Sequence, residues 1–181
     1  MRLMVVLCFL LASNGVYAEE PSDLVPMYRF YNKKVNEHGY SFLDREVVDW
    51  RKADDVDEHL ALGRVCAKEL PGTIRMYRGI HNKTKRHYYY TVAPREAKDI
   101  TVDNDNYPLY VWKNAGDGRI GIYGSTWVDG TDVFFDPDLE MVKKYGSDTK
   151  NALGVKRHSL GVAPLFYVYP MDTAVKANSP K

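Results

Sequence analysis

The sequence predicts an α+β fold, mainly antiparallel β with short helices, in which three pseudo-repeats form one closed or trefoil-like domain. The first ground is a recurring interval: Tyr28 to His38 and Tyr77 to His87 each span ten positions, with apolar and tyrosine-rich residues around both ends. The second is composition, 13% aromatic with 14 tyrosines, which suits pleated, half-buried surfaces. The third is a short helical signal after each aromatic strand.

The N-terminus comes first in the chain and sets the setting for the rest. Arg2 precedes an apolar run from Leu3 to Ala12, and Val16 and Ala18 flank Tyr17. That is the order of a secretory signal peptide, so residues 1–18 are expected to be removed and the product secreted to an extracellular, oxidising setting. The run is shorter than the roughly 20 apolar residues of a spanning helix, so no membrane partner is expected. Loss of Arg2 brings the 25 Lys and Arg level with the 24 Asp and Glu. A nucleic-acid binder that grips phosphates carries a positive excess, so no nucleic-acid partner is expected either.

Cys8 leaves with the signal, and Cys66 remains without an intramolecular partner. Its setting, Arg64-Val65-Cys66-Ala67, reads as a core strand, so a buried thiol and a monomeric protein are expected. Asn82-Lys83-Thr84 is a glycosylation sequon, which places Asn82 in a solvent loop.

Along the mature chain the opening strands read Met27-Tyr28-Arg29-Phe30-Tyr31-Asn32, Met76-Tyr77-Arg78-Gly79-Ile80 and Leu109-Tyr110-Val111-Trp112, each running toward an Asn. Pro26 and Pro108 stand at strand starts, where a missing N–H costs no ladder bond. Second strands follow at His38 to Phe42, His87 to Thr91 and Val133 to Asp136. In the third copy residues 116–131, with Asp117-Gly118 and Asp129-Gly130, read as an inserted hairpin. Helices are expected after Asp44, Pro94 and Asp136. The last is the clearest: Asp136 caps, Pro137 takes the first helical position, Leu139, Val142 and Tyr145 recur at helical spacing, and Gly146 ends it. Closing strands are read at Leu62 to Ala67 and Leu160 to Tyr169, with Ile120 to Tyr123 as the middle candidate. Residues 19–170 thus form the globular part and 171–181 a flexible tail.

The run YRFYN, then H-x-Y-x-F or HYYYT, then a Glu-bearing helix and an LGxxx strand, resembles the secreted repeat domain of unknown function whose units read LYRFYN, DHFYT, E and EGIAGYVY. The third copy departs from it, with Val133 at the His position and Tyr110-Val111-Trp112 in place of Tyr-Arg-Phe. The resemblance implies an accessory or binding role and brings no catalytic residues.

Chemistry-bearing residues are consistent with that role. His38 and His87, with Glu46 and Glu96, are candidates for a repeated site, but their recurrence is equally what a scaffold preserves. His59, His81, His87 and His158 form no zinc pattern, and the acidic clusters at 54–58 and 103–106 lack the frame of a calcium loop. Ser125 stands in no nucleophile motif. No metal and no cofactor are expected. The expected function is a secreted non-catalytic binding module for a glycan or an extracellular protein, with ligand-binding residues Trp112, Tyr123, Trp127, Asp129 and Asp132. The alternative is a secreted hydrolase of cell-wall or matrix polymer, with its site near residues 116–132.

Overall fold

A computed structural model describes residues 21, 23–34, 36–57, 60–81, 88–91, 100–102, 108–116, 118–127, 132–148 and 157–171. Residues 1–18, expected to be a signal peptide, Asn82, residues 92–99, where a helix is expected after Pro94, Asp129 and residues 172–181 lie outside them. In chain order the elements are β1 (Leu24–Asn32), β2 (Glu37–Ser41), α1 (Asp44–Arg51), β3 (Leu60–Cys66), β4 (Thr73–His81), β5 (Tyr88–Thr91) and β6 (Ile100–Val102). Then come β7 (Leu109–Trp112), β8 (Ile120–Trp127), β9 (Val133–Asp136), α2 (Leu139–Asp148), β10 (Arg157–Ser159) and β11 (Phe166–Val168). The architecture is mostly antiparallel β with two short helices.

The strands form one branched sheet running β10-β8-β11-β7-β3-β1-β2, with β4, β5, β6 and β9 as branches. The sheet is not closed, so the expected closure is corrected. The reason is local. Backbone pairing stops at the outer edges of β2 and β9, and side chains bridge the gap between them.

The interior holds Met27, Leu62, Val65, Met76, Leu109, Val111, Ile122, Val133, Phe135, Phe166 and Val168 with Tyr40, all buried. In β7, β11 and the first halves of β4 and β8 these alternate with residues of the opposite face, whereas in β3 the register shift opposite Met27 and Tyr28 brings Leu62 and Val65, three positions apart, into the same core. Gly63 lies where β11 crosses β3: a Cβ there would come within 2.6 Å of the Tyr169 carbonyl.

The register corrects the third unit. The segment Leu109–Trp112 does not pair with Val133–Asp136; it pairs back on β4, with Thr73 opposite Trp112 and Met76 opposite Leu109. The partner of β9 is β8, with Tyr123 opposite Asp136 and Thr126 opposite Val133. Residues 116–131 are therefore no inserted hairpin but carry the eight-residue strand β8. Gly121 and Gly124 lie within β8 and allow close approach. A Cβ on them would meet Pro164 at 2.6 Å and Leu165 at 2.7 Å.

Helix α1 packs Val47 inward and sets Trp50 edge-on against Phe30, their ring centroids 4.7 Å apart. The indole roofs Gly39, where a Cβ would approach it at 2.8 Å. Helix α2 begins later than expected. Asp138, not Asp136, caps it, its Oδ1 accepting from the Glu140 N–H at 2.9 Å, while Asp136 Oδ1 holds the Asp138 N–H in a turn before the helix. Gly146 lies inside α2, which ends at Asp148.

Candidate functional site

The gap between β2 and β9 is filled by polar side chains from distant parts of the chain. The His38 N–H donates to Asp132 Oδ1 at 2.8 Å, and the His38 ring Nδ1 meets Asp132 Oδ2 at 3.1 Å. A carboxylate only accepts, so this contact places a proton on Nδ1. Tyr40 reaches across the same gap, donating to the Val133 carbonyl at 3.0 Å and accepting from the Phe135 N–H at 2.8 Å. Arg29 donates through Nη1 to the Phe135 carbonyl at 2.7 Å and to Asp136 Oδ2 at 2.9 Å. Together these side chains satisfy the outer edge of β9, whose backbone groups would otherwise be buried at high cost.

A histidine on a carboxylate is half of a nucleophile-activating arrangement. Here, however, His38 is 3% and Asp132 0% exposed. The imidazole is enclosed by Tyr31, Phe134 and Tyr145, at centroid distances of 5.0, 5.1 and 5.6 Å. What the pair does in this setting is join β2 to the start of β9.

A second clamp joins α1 to β4. Arg78 grips the Glu46 carboxylate with two bonds, 2.8 and 3.1 Å long, and Ser41 donates to the same group at 2.6 Å. Burial opposes ionisation of Glu46, but the hydrogen bonds from Arg78 and Ser41 and the guanidinium charge outweigh it and hold the carboxyl below its usual value. Glu46 is thus engaged in holding the helix on the sheet. The register also separates the two histidines that the ten-residue interval equates. His38 lies opposite Tyr31, whereas the residue opposite Ile80, the counterpart of Tyr31, is Tyr88. The second hairpin is one residue longer, and His87 lies outside the described residues.

On the sheet face turned away from the main core, β3, β7 and β11 carry a second cluster: Cys66, Trp112 and Tyr169, with Leu24, Leu70, Tyr110 and Tyr167 packed against it. Trp112 stands edge-on to Tyr169 at 5.0 Å, and the Arg119 guanidinium lies over both rings, at 5.1 and 5.9 Å. Cys66 is free and fully buried, and burial together with Asp23 pushes its thiol up to about 11. On the same face Arg75 lies opposite Tyr110 and over the Tyr77 ring at 5.0 Å.

The expected ligand-binding residues are therefore dispersed. Trp112 is 3% exposed and belongs to the second cluster, and Asp132 is sealed in the gap beside His38. Tyr123 is half-buried on β8, and Trp127 ends that strand. Asp129 and Asn82 lie outside the described residues. Arg29, Asp136, Arg75, Arg119, Tyr110 and Tyr167 carry the polar and aromatic contacts that sequence reasoning did not single out. For Tyr110 and Tyr167 the strand alternation was the available signal, since each sits between two buried residues. Among the described residues no three His, Cys, Asp or Glu are placed to hold a metal ion. No helix among them is long and apolar enough to cross a membrane.

The profile of a family described as Domain of unknown function (DUF5648) matches residues 8–114. The chain belongs to this family. No curated protein and no solved structure gives a significant match. The DUF5648 match ends just after β7, although Ile122, Phe166 and Val168 from beyond it complete the main core. It takes in the Glu46–Arg78 clamp whole, but of His38 and Tyr40 it takes in one side only, their partners at 132–136 lying outside it.

Proposed function

We propose that this DUF5648 protein is a secreted, non-catalytic binding module for a glycan or an extracellular protein, assembled from three pseudo-repeats. The observation that carries the reading is the burial of the His38–Asp132 pair. The residues best suited to acid–base chemistry are spent on joining strands, away from any substrate, while half-buried tyrosines occupy a sheet face.

Support for the repeats comes from register. Tyr28, Tyr77 and Tyr123 lie opposite Ser41, Thr91 and Asp136 in three successive hairpins. In the first half of each opening strand, Val25, Ile74 and Ile120 lie opposite Val65, Val111 and Val168. The closing strands then meet in a cycle: Cys66 opposite Tyr110, Trp112 opposite Tyr167, and Tyr169 bridged to Arg64. On this reading the units are β1-β2-α1-β3, β4 to β7, and β8 to β11.

The test is a glycan array, with an extracellular-protein display in parallel, using the purified protein and Tyr110→Ala and Tyr167→Ala variants. Binding by the wild type that either variant weakens supports the reading. Turnover of a polysaccharide or peptide, lost in a folded Asp132→Asn variant, would overturn it in favour of a hydrolase.

A further inference from the structure

We propose that the outer face of β3, β4, β7 and β11 binds an acidic sugar chain, one bearing carboxylate or sulfate groups. This inference rests on the binding-module reading and names its ligand class.

Residues directly opposite one another in an antiparallel ladder share a face. Arg75 is opposite Tyr110, Tyr110 opposite Cys66, Trp112 opposite Tyr167, and Arg64 opposite Tyr169. Arg119 joins the same set through its guanidinium, which lies over Trp112 and Tyr169. Three arginines are therefore interleaved with tyrosines on one side of the sheet. Arg64 and Arg75 stand two strands apart and two residues out of register, about 12 Å between their backbones. Arg64, Arg75, Arg119, Tyr77, Tyr110 and Tyr167 are all half-buried, with part of each side chain at the surface.

Among the described residues Arg64, Arg75 and Arg119 bring three positive charges to this face. Asp23 is its acidic neighbour, near enough to act on Cys66, and Lys68 holds it at 2.5 Å. Among the described residues the Arg119 guanidinium meets two rings and the Asn114 carbonyl. Its planar fork, already stacked and oriented, matches a carboxylate or sulfate. The tyrosine rings beside it supply flat apolar surface for the C–H faces of a sugar. A single-stranded nucleic acid would offer stacking bases and anions too. It also needs an extended positive track, which a chain whose 25 basic and 24 acidic side chains nearly cancel is poorly supplied with.

The experiment measures binding of the purified protein to three probes by calorimetry at low and at raised salt: a polygalacturonate oligomer, a sulfated hexasaccharide and a neutral cello-oligosaccharide. A single-stranded DNA oligomer is the fourth probe. The expected result is binding to an acidic sugar that weakens with salt. Arg119→Gln should lower the affinity about tenfold, the worth of one charge-assisted contact. Because Arg119 also covers Trp112, Arg75→Gln is measured beside it, and thermal unfolding shows which variants are folded. Binding to the neutral sugar alone would overturn the acidic-ligand inference and leave the module reading standing. Preference for DNA would overturn the inference, as would acidic-sugar binding unchanged in both folded variants. Binding to an extracellular protein with no sugar bound would do the same while sparing the module reading.

Discussion

Asp132 and His38 are 94 residues apart in the chain and meet where both are buried. Removing one partner of such a pair leaves the other's polar groups buried and unmatched, which costs more than the pair itself contributes. Asp132→Ala should therefore destabilise the fold by about 3–5 kcal/mol, measured by urea unfolding. Asp132→Asn keeps an acceptor for the His38 N–H and should cost less. A loss below 1 kcal/mol for the alanine variant would mean that the gap is held by Tyr40 and Arg29 alone. Cys66 provides an independent check. With its thiol raised to about 11 and no surface exposed, it should resist a thiol reagent in the native protein near pH ~8 and react once urea unfolds the chain. Rapid labelling without denaturant would contradict the packing of Cys66 against Trp112 and Tyr169.

At the scale of elements, α1 is tied to β4 by Glu46 and Arg78. The folded carboxyl of Glu46 lies below its ordinary value of 4.5. Its contribution is accordingly present in full above that value and is lost as pH falls through the lower, folded one. Glu46→Gln should cost about 1 kcal/mol at neutral pH, a figure kept small because the Glu46 side chain is 29% exposed. At a pH below the lowered, folded value the difference from wild type should shrink toward zero, since both side chains are then neutral. Urea titrations at the two pH values measure it, and an equal difference at both would remove the ion pair as the cause. The β2–β9 gap gives the matching test for strands. Tyr40→Phe removes one hydroxyl that serves both the Val133 carbonyl and the Phe135 N–H, and should cost about 2–3 kcal/mol by the same assay.

For the whole molecule, strands from both halves of the chain contribute to one core, so the stretch matched by DUF5648 should not fold by itself. A chain ending at residue 114 lacks Ile122, Phe135, Phe166 and Val168 and exposes the faces they cover. It should show no cooperative thermal unfolding, followed by circular dichroism; a sharp transition would make residues 116–171 an addition to a self-sufficient unit. Val65, Val111 and Val168 are each 0% exposed at corresponding ladder positions. Their alanine variants should each lose about 1–3 kcal/mol in urea unfolding, and similar losses would support the proposed three-unit reading.

Much of the secondary structure is legible in the sequence because it depends on near neighbours. The alternation in Met27-Tyr28-Arg29-Phe30 marks β1, the spacing of Leu43, Val47 and Trp50 marks α1, and the aromatic run Val133-Phe134-Phe135 marks β9. The antiparallel, α+β character follows from these. The assignment of strands to partners does not. Leu109–Trp112 and Ile120–Trp127 have similar local patterns, and only the ladder shows that the first closes on β4 while the second opens toward β9. The need for glycine at 121 and 124 arises from Pro164 and Leu165, some 40 residues away. The same holds for function-bearing side chains. The residue types His, Asp, Arg and Trp are plain in the sequence, but burial decides whether a His–Asp pair meets substrate or joins two strands. Burial is set by contacts between segments far apart in the chain, where local periodicity carries no information.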